Sequence, residues 1–174
     1  MKRAAAAFGS AIFLALAPGT IAVLVPYWIC RWHVATPFPA FLVFRVVGVL
    51  LVAAGLPVLL DSFARFAFQG LGTPAPVAPP RHLVVTGLYR RVRNPMYVAI
   101  MLCILGQGLF FGSASVLLYG LFAWLAFHMF VVLYEEPTLR GKFGGAYEEF
   151  CSHVPRWIPR LKDPPIDRDP QQGS

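Results

Sequence analysis

Long apolar stretches dominate the chain, and their spacing sets the first expectation about its fold. The first stretch runs from Ala4 to Cys30, interrupted by Pro18 and Pro26. A second runs from Phe41 to Leu60, with Arg45 near its start and Asp61 closing it. From Tyr97 to Tyr134 the sequence is apolar apart from Gln107, His128 and a few serines. A bilayer core of about 30 Å needs roughly 20 apolar residues in a helix, so this last stretch is too long for one ordinary span. Gly106, Gly108 and Gly112 with Ser113 and Ser115 break it near the middle. The region therefore reads as a helical hairpin, Pro95 to about Phe111 and about Ser115 to Tyr134. Beyond it, Phe143, Tyr147, Phe150 and Val154 recur at helical spacing, which predicts a short amphipathic helix lying on the membrane. The predicted fold is all-α, a polytopic membrane helical bundle of about four transmembrane helices plus that short amphipathic C-terminal helix.

This pattern divides the chain into an N-terminal two-span segment (1–69), a Pro-rich linker (70–85), a core of hairpin and C-terminal segment (86–160) and a tail (161–174). Gly70 to Pro80, GLGTPAPVAPP, cannot continue a helix and leans toward extended polyproline geometry. The tail, ending DPPIDRDPQQGS, reads as disordered. No internal repeat is visible.

Composition confirms the environment. Hydrophobic residues make up 57% and charged residues 13%, with a mean hydropathy of +0.63, which leaves too little polar matter to coat a water-soluble globule. Disorder of the whole chain is excluded by the same figures. Cys30, Cys103 and Cys151 are far apart and form no CxxC pair, which argues against a disulfide scaffold or a zinc site, so no metal is expected.

The net charge of +7 is uneven. Residues 1 to 134 hold nine Lys or Arg and a single acid, Asp61, whereas the remaining 40 hold six basic residues and seven acids. The arginines flank apolar runs, a placement set by membrane topology rather than by nucleic acid. With Lys2 and Arg3 inside, the arginine-rich stretch from Arg65 to Arg93 and the tail from Glu135 also fall inside. The expected protein is thus multi-pass, with N-terminus, linker and C-terminal tail cytoplasmic, in an inner (plasma) membrane. Ala15-Leu16-Ala17 mimics a signal-peptide cleavage site, but apolar sequence continues past it to Ile29.

Two segments face each other across the inner surface in this topology. The first, Thr86 to Tyr97, enters the third span. Pro95 suits a first helical turn and pushes Asn94 out of the α region, so Asn94 is expected to cap the helix through its side chain. A helix start beside Arg93 would suit a small carboxylate or phosphate. The second is Glu135-Glu136-Pro137, the first acids after Asp61. Adjacent helical positions differ by about 100°, so one carboxylate is expected to face the bundle and the other to reach solvent or Arg140. An inward Glu needs a cationic partner. His153 reads as a polar interfacial residue, and His128, inside the fourth span, as either a functional intramembrane group or a neutral imidazole that simply bonds a carbonyl. There is no P-loop, no H-E-x-x-H, and neither Gly70-Leu-Gly72 nor Gly106-Gln-Gly108 sits between a strand and a helix as a Rossmann site would require.

The order G-x-Y-x-x-x-R-[HN]-P-x-Y, an apolar hairpin, then E-E-x-x-L-x-x-x-F-G-x-x-Y-x-x-[YF]-x-x-x-V-P-R resembles the integral-membrane methyltransferases that include isoprenylcysteine carboxyl methyltransferase and phospholipid N-methyltransferases. The matching residues are Gly87, Tyr89, Arg93, Asn94, Pro95 and Tyr97, then Glu135, Glu136, Leu139, Phe143, Gly144, Tyr147, Phe150, Val154, Pro155 and Arg156. They cover roughly Thr73 to Pro159. The first two spans carry no family signature. Asn94 stands where many members have His, so a base role at that position lapses, and Ala99 stands where a Gly often follows.

The resemblance implies S-adenosylmethionine as methyl donor, bound at the cytoplasmic membrane face, and a lipophilic acceptor entering from the bilayer. Arg93 and Glu136 are the expected catalytic residues. Leu88, Tyr89, Arg93, Asn94, Pro95, Tyr97, Glu135, Glu136 and Tyr147 are the expected cofactor contacts. An isoprenylcysteine-like carboxylate, a phospholipid amine and other membrane-soluble acceptors all stay open, as does the oligomeric state. Two other classes stand beside this one. An NADPH-dependent, sterol-reductase-like enzyme would share the C-terminal arrangement, and a non-enzymatic small membrane protein would use the same charges as boundary markers.

Overall fold

The computed structural model describes residues 16–35, 41–68, 83 and 86–160. The start of the first expected span, the tail 161–174 and all of the 70–85 linker except Leu83 lie outside the described residues. The architecture is an all-α membrane bundle. Helix α1 is Leu16–Cys30, α2 Leu42–Phe68, α3 Pro95–Phe111, α4 Ala114–Phe143 and α5 Gly145–His153, with a 3-10 turn at Gly87–Arg90 before α3. Most of α2 and all of α4 are long and apolar enough to cross a membrane, while α1 and α3 are shorter apolar helices. Among the described residues there is no strand.

The hairpin turns where the sequence allows it. Gly112 takes a left-handed φ of 68°, which an L side chain rarely adopts, and the Ser113 hydroxyl then accepts the Val116 N–H to start α4. Gly106 and Gly108, expected to help break the helix, stay helical. Their role is proximity. A Cβ on Gly106 would lie 2.7 Å from the Gly48 carbonyl oxygen, and one on Gly48 would lie 2.6 Å from that of Gly106. Gly55 meets the Ala99 carbonyl in the same way, so α2 and α3 pack backbone to backbone along small residues. Leu59, Phe63, Ala99, Ile100, Cys103, Ile104 and Val116 fill the core around this contact.

Two helical turns are widened to the i to i+5 pattern, Thr20–Leu24 in α1 and Val131–Glu135 in α4. Each lies just before a proline, Pro26 and Pro137. Proline donates no N–H and its ring displaces the carbonyl four residues back, so the turn opens. In α1 that carbonyl belongs to Ala22, and the Gln107 amide of α3 donates to it at 2.6 Å. Tyr119 of α4 donates to the adjacent Ile21 carbonyl at 2.9 Å. In α4 the widened turn carries the helix on to Phe143 instead of ending it at Tyr134.

Gly144, with φ 52°, separates α4 from α5 and splits the expected amphipathic run. Tyr147, Phe150 and Val154 are buried against Leu83, Leu139, Phe143 and Cys151. The apolar stripe of the expected amphipathic helix thus packs against protein.

The bundle has two distinct ends. At one, the Ala35 N–H bonds the Phe111 carbonyl at 3.0 Å, Trp32 stacks on Phe111, and Phe41 packs against Gly112. At the other, the end of α2, the turn before α3, the end of α4 and the chain after α5 converge.

Candidate active site at one end of the bundle

Residues 155–160 fold back over the turn that precedes α3. The Arg93 N–H donates to the Pro155 carbonyl and the Arg160 N–H to the Arg91 carbonyl, both at 2.9 Å. Between them the Asn94 side-chain amide donates to the Arg156 carbonyl at 3.2 Å. Asn94 sits at the N-cap position but makes no capping bond with its side chain. The expectation of a side-chain cap is therefore corrected: the nearby Arg156 carbonyl takes the amide, and Asn94 works as a clasp between segments. Pro95 is buried at the first position of α3.

This return segment completes an ion cluster. Glu136 is only 4% exposed. Arg156 grips its carboxylate with two donors, Nε to Oε1 at 2.6 Å and NH2 to Oε2 at 2.9 Å. Arg93 donates from NH1 to the same Oε1 at 3.0 Å and to Cys151 Sγ at 2.9 Å. The hydrogen bond to Glu136 raises the Arg156 guanidinium above its ordinary value, so it stays charged. Two guanidiniums meet one carboxylate, and Arg93 Nε is buried without a hydrogen-bond partner among the described residues.

Glu135 takes a separate partner, accepting the Tyr97 hydroxyl at 3.1 Å, while the Tyr97 ring packs on Phe127. Both carboxylates thus point into the bundle, although at different groups. The expected excursion of one to solvent or Arg140 does not occur, because the widened turn reduces the rotation between successive residues and keeps both inside. Arg140 is exposed.

The tyrosines cluster around these charges. Tyr147 is 3% exposed, and burial, then its neighbours Cys151 and Glu136, push its phenol well above the ordinary range. Burial does the same for Tyr89, aided by the Glu135 and Asp61 charges and opposed by hydrogen-bonding contact with Ser62. Both stay protonated at neutral pH and keep an O–H to donate. Leu88 lines an open cleft of about 320 Å³ with Asp61, Arg65, Gly87, Arg90 and Arg91.

Three residues at the end of α2 escaped the sequence reading. Asp61 and Arg65 pair at 2.8 Å, and the Arg65 guanidinium lies over Gly87, leaving no room for a side chain there. Ser62 is 1% exposed beside Tyr89. The signal was present: Asp61 is the lone acid of the first 134 residues, with Arg65 one helical turn on. Cys151, which accepts from Arg93, carries no sequence signal beyond its residue type. Read as a neutral imidazole, His128 was expected to bond a carbonyl; instead its Nδ1 accepts the indole N–H of Trp157 at 3.2 Å. His153 pairs with its own helix, through Glu149 and Ser152.

A family model for phospholipid methyltransferases matches residues 43–146, well over half of the chain. The chain belongs to this methyltransferase family. Protein-S-isoprenylcysteine O-methyltransferase of Schizosaccharomyces pombe (strain 972 / ATCC 24843) is 33% identical over 132 residues, which cover 71% of this chain and 56% of that protein. The chain therefore spans little more than half the length of this curated relative. The family match begins at Val43, inside α2, so the second span belongs to the family pattern, contrary to the expectation that the first two spans lie outside it. The contacts of Asp61, Ser62 and Arg65 give that inclusion a physical reason.

Proposed function

We propose that this protein is an S-adenosylmethionine-dependent methyltransferase that delivers a methyl group to a lipophilic acceptor drawn from the bilayer. The observation that carries the reading is the buried Arg93, Glu136 and Arg156 cluster, set beside the Tyr97 and Glu135 pair at the mouth of the hairpin. Its donor set fits the cofactor. An excess guanidinium with a buried, unpartnered Nε suits an α-carboxylate, and Glu135 suits an ammonium or ribose hydroxyl. Tyr89, Tyr97 and Tyr147 offer rings and hydroxyls, with Leu88, Asn94 and Pro95 framing the turn they rise from.

When bound, the cofactor supplies a methyl carbon already activated by its sulfonium. The chain's own work is to bind, orient and exclude water, which can supply much of the catalysis in a displacement of this kind. Arg93 is the residue proposed to touch the cofactor. Glu136, whose oxygens are already taken by the two arginines, acts as a positioning residue that aims them. The acceptor is an isoprenylcysteine-like carboxylate, a phospholipid amine or a similar membrane-soluble molecule. In this reading the end of the bundle that holds the cluster, with the N-terminus, linker and tail, lies on the cytoplasmic side of an inner (plasma) membrane, a topology that the positive-inside pattern supports.

Binding of S-adenosylhomocysteine to detergent-purified protein tests the reading. The wild type should bind, and Arg93→Ala and Glu136→Ala should bind far more weakly. Absence of binding to the wild type overturns it. Incubation of lipid extracts with labelled donor then identifies the acceptor from the labelled product.

A further inference from the structure

His128 is a polar side chain within the membrane-crossing length of α4, where a titratable group costs free energy unless it has a task. It lies seven residues before Glu135 on α4, about two turns earlier. Its neighbour Phe127 packs on Tyr97, the partner of Glu135. His128 itself is tied to the candidate site through Trp157 of the return segment.

The Trp157 contact defines the state of the ring. An indole N–H can only donate, so a His128 Nδ1 that accepts from it carries no proton, and the neutral imidazole holds its hydrogen on Nε2. Trp124 stacks on the ring at 5.4 Å between ring centroids, 20° from parallel. The ring is held by two indoles, one stacked on it and one bonded to Nδ1, and keeps one N–H donor. Trp157 directly follows Arg156, so the segment that completes the ion cluster also fixes this imidazole. Around the pair, Trp124 and Ile158 are 38% and 79% exposed, an apolar rim for a hydrocarbon tail.

We propose that His128 positions the acceptor: its Nε2–H donates to an oxygen at the polar end of a lipophilic molecule whose tail lies along Trp124 and Ile158, with Trp157 holding the imidazole in the donating tautomer. This rests on the methyltransferase reading above. That oxygen can come from a carboxylate or from a phosphodiester, and two probes separate the sources.

Purified protein is titrated with radiolabelled N-acetyl-S-farnesylcysteine and, in separate nanodiscs, with dioleoylphosphatidylethanolamine; S-adenosylhomocysteine affinity is measured in parallel. His128→Ala should weaken the probe that binds about fivefold to tenfold, the worth of one neutral hydrogen bond, while the S-adenosylhomocysteine affinity stays within about twofold. His128→Gln, whose amide reaches the Nε2 position, should recover most of the loss, and Trp157→Phe should show a smaller loss of the same kind. Unchanged probe binding in His128→Ala overturns the proposal, as does an equal fall in S-adenosylhomocysteine affinity or binding of neither probe to the wild type. Failure of the methyltransferase reading is distinguishable, because there the wild type binds no S-adenosylhomocysteine at all.

Discussion

The widened turns of α1 and α4 arise from the same local chemistry and serve opposite ends. Both precede a proline, and both open the helix because a ring and a missing N–H displace the carbonyl four residues back. In α1 the freed carbonyls are spent on architecture, since Gln107 and Tyr119 reach across to Ile21 and Ala22 and clip the helix to the hairpin. In α4 the gain is direction: Glu135 and Glu136 both turn inward and take different partners. A proline in an apolar helix is thus a structural clip in one place and a way of aiming charge in another. What separates the cases is which side chains lie beside the opened turn.

The sharpest way to test this contrast is to remove what the α4 turn aims. Glu136→Ala leaves two guanidiniums without their carboxylate. We expect a loss of about 3 kcal/mol in detergent unfolding, below the full cost of a wholly buried pair because Arg156 is part-exposed, together with loss of S-adenosylhomocysteine binding. Next in size is the turn itself. Pro137→Ala restores an N–H and lets α4 resume its ordinary pitch, so Glu136 rotates off its arginines; calorimetry should show ligand affinity falling about tenfold.

On the α1 side the effects move to stability alone. Gln107→Leu leaves the Ala22 carbonyl unmet, and equilibrium unfolding should show a loss of about 1 kcal/mol with ligand affinity intact. The smallest effect is the most discriminating. On a Pro26→Ala background the backbone regains its own donor for Ala22, so the added cost of Gln107→Leu should fall below about 0.5 kcal/mol in a double-mutant cycle. An undiminished cost there would show that Gln107 does not answer the proline.

Much of this was legible in the sequence, for reasons specific to membranes. Apolar length gave the hairpin and its ends, because a helix must be long enough to cross and Gly112 offered the left-handed residue a turn needs. Charge scarcity pointed to the candidate site, because Arg93 and Glu136 had few rivals, and the fold brings the two together. Pairwise geometry was not legible. Nothing local distinguishes Gly106 as a contact for Gly48 from Gly106 as a break, since the difference lies in a helix some 60 residues away. Asn94 carried every mark of a cap and was drawn off by the Arg156 carbonyl, a partner 62 residues on. The inward turn of both glutamates required a widened turn, which 100° periodicity does not contain.

The clasp between residues 91–94 and 155–160 bears on the charge of the cluster. In chain order Arg93 and Glu136 both precede Arg156, and without the return segment they would form a simple one-to-one pair. Such a pair carries no net charge. Arg156 adds the surplus, and the Arg93, Asn94 and Arg160 bonds hold its segment over the turn. The positive surplus of this three-residue cluster therefore comes from its last member in chain order, on the same segment whose bonds close the turn before α3.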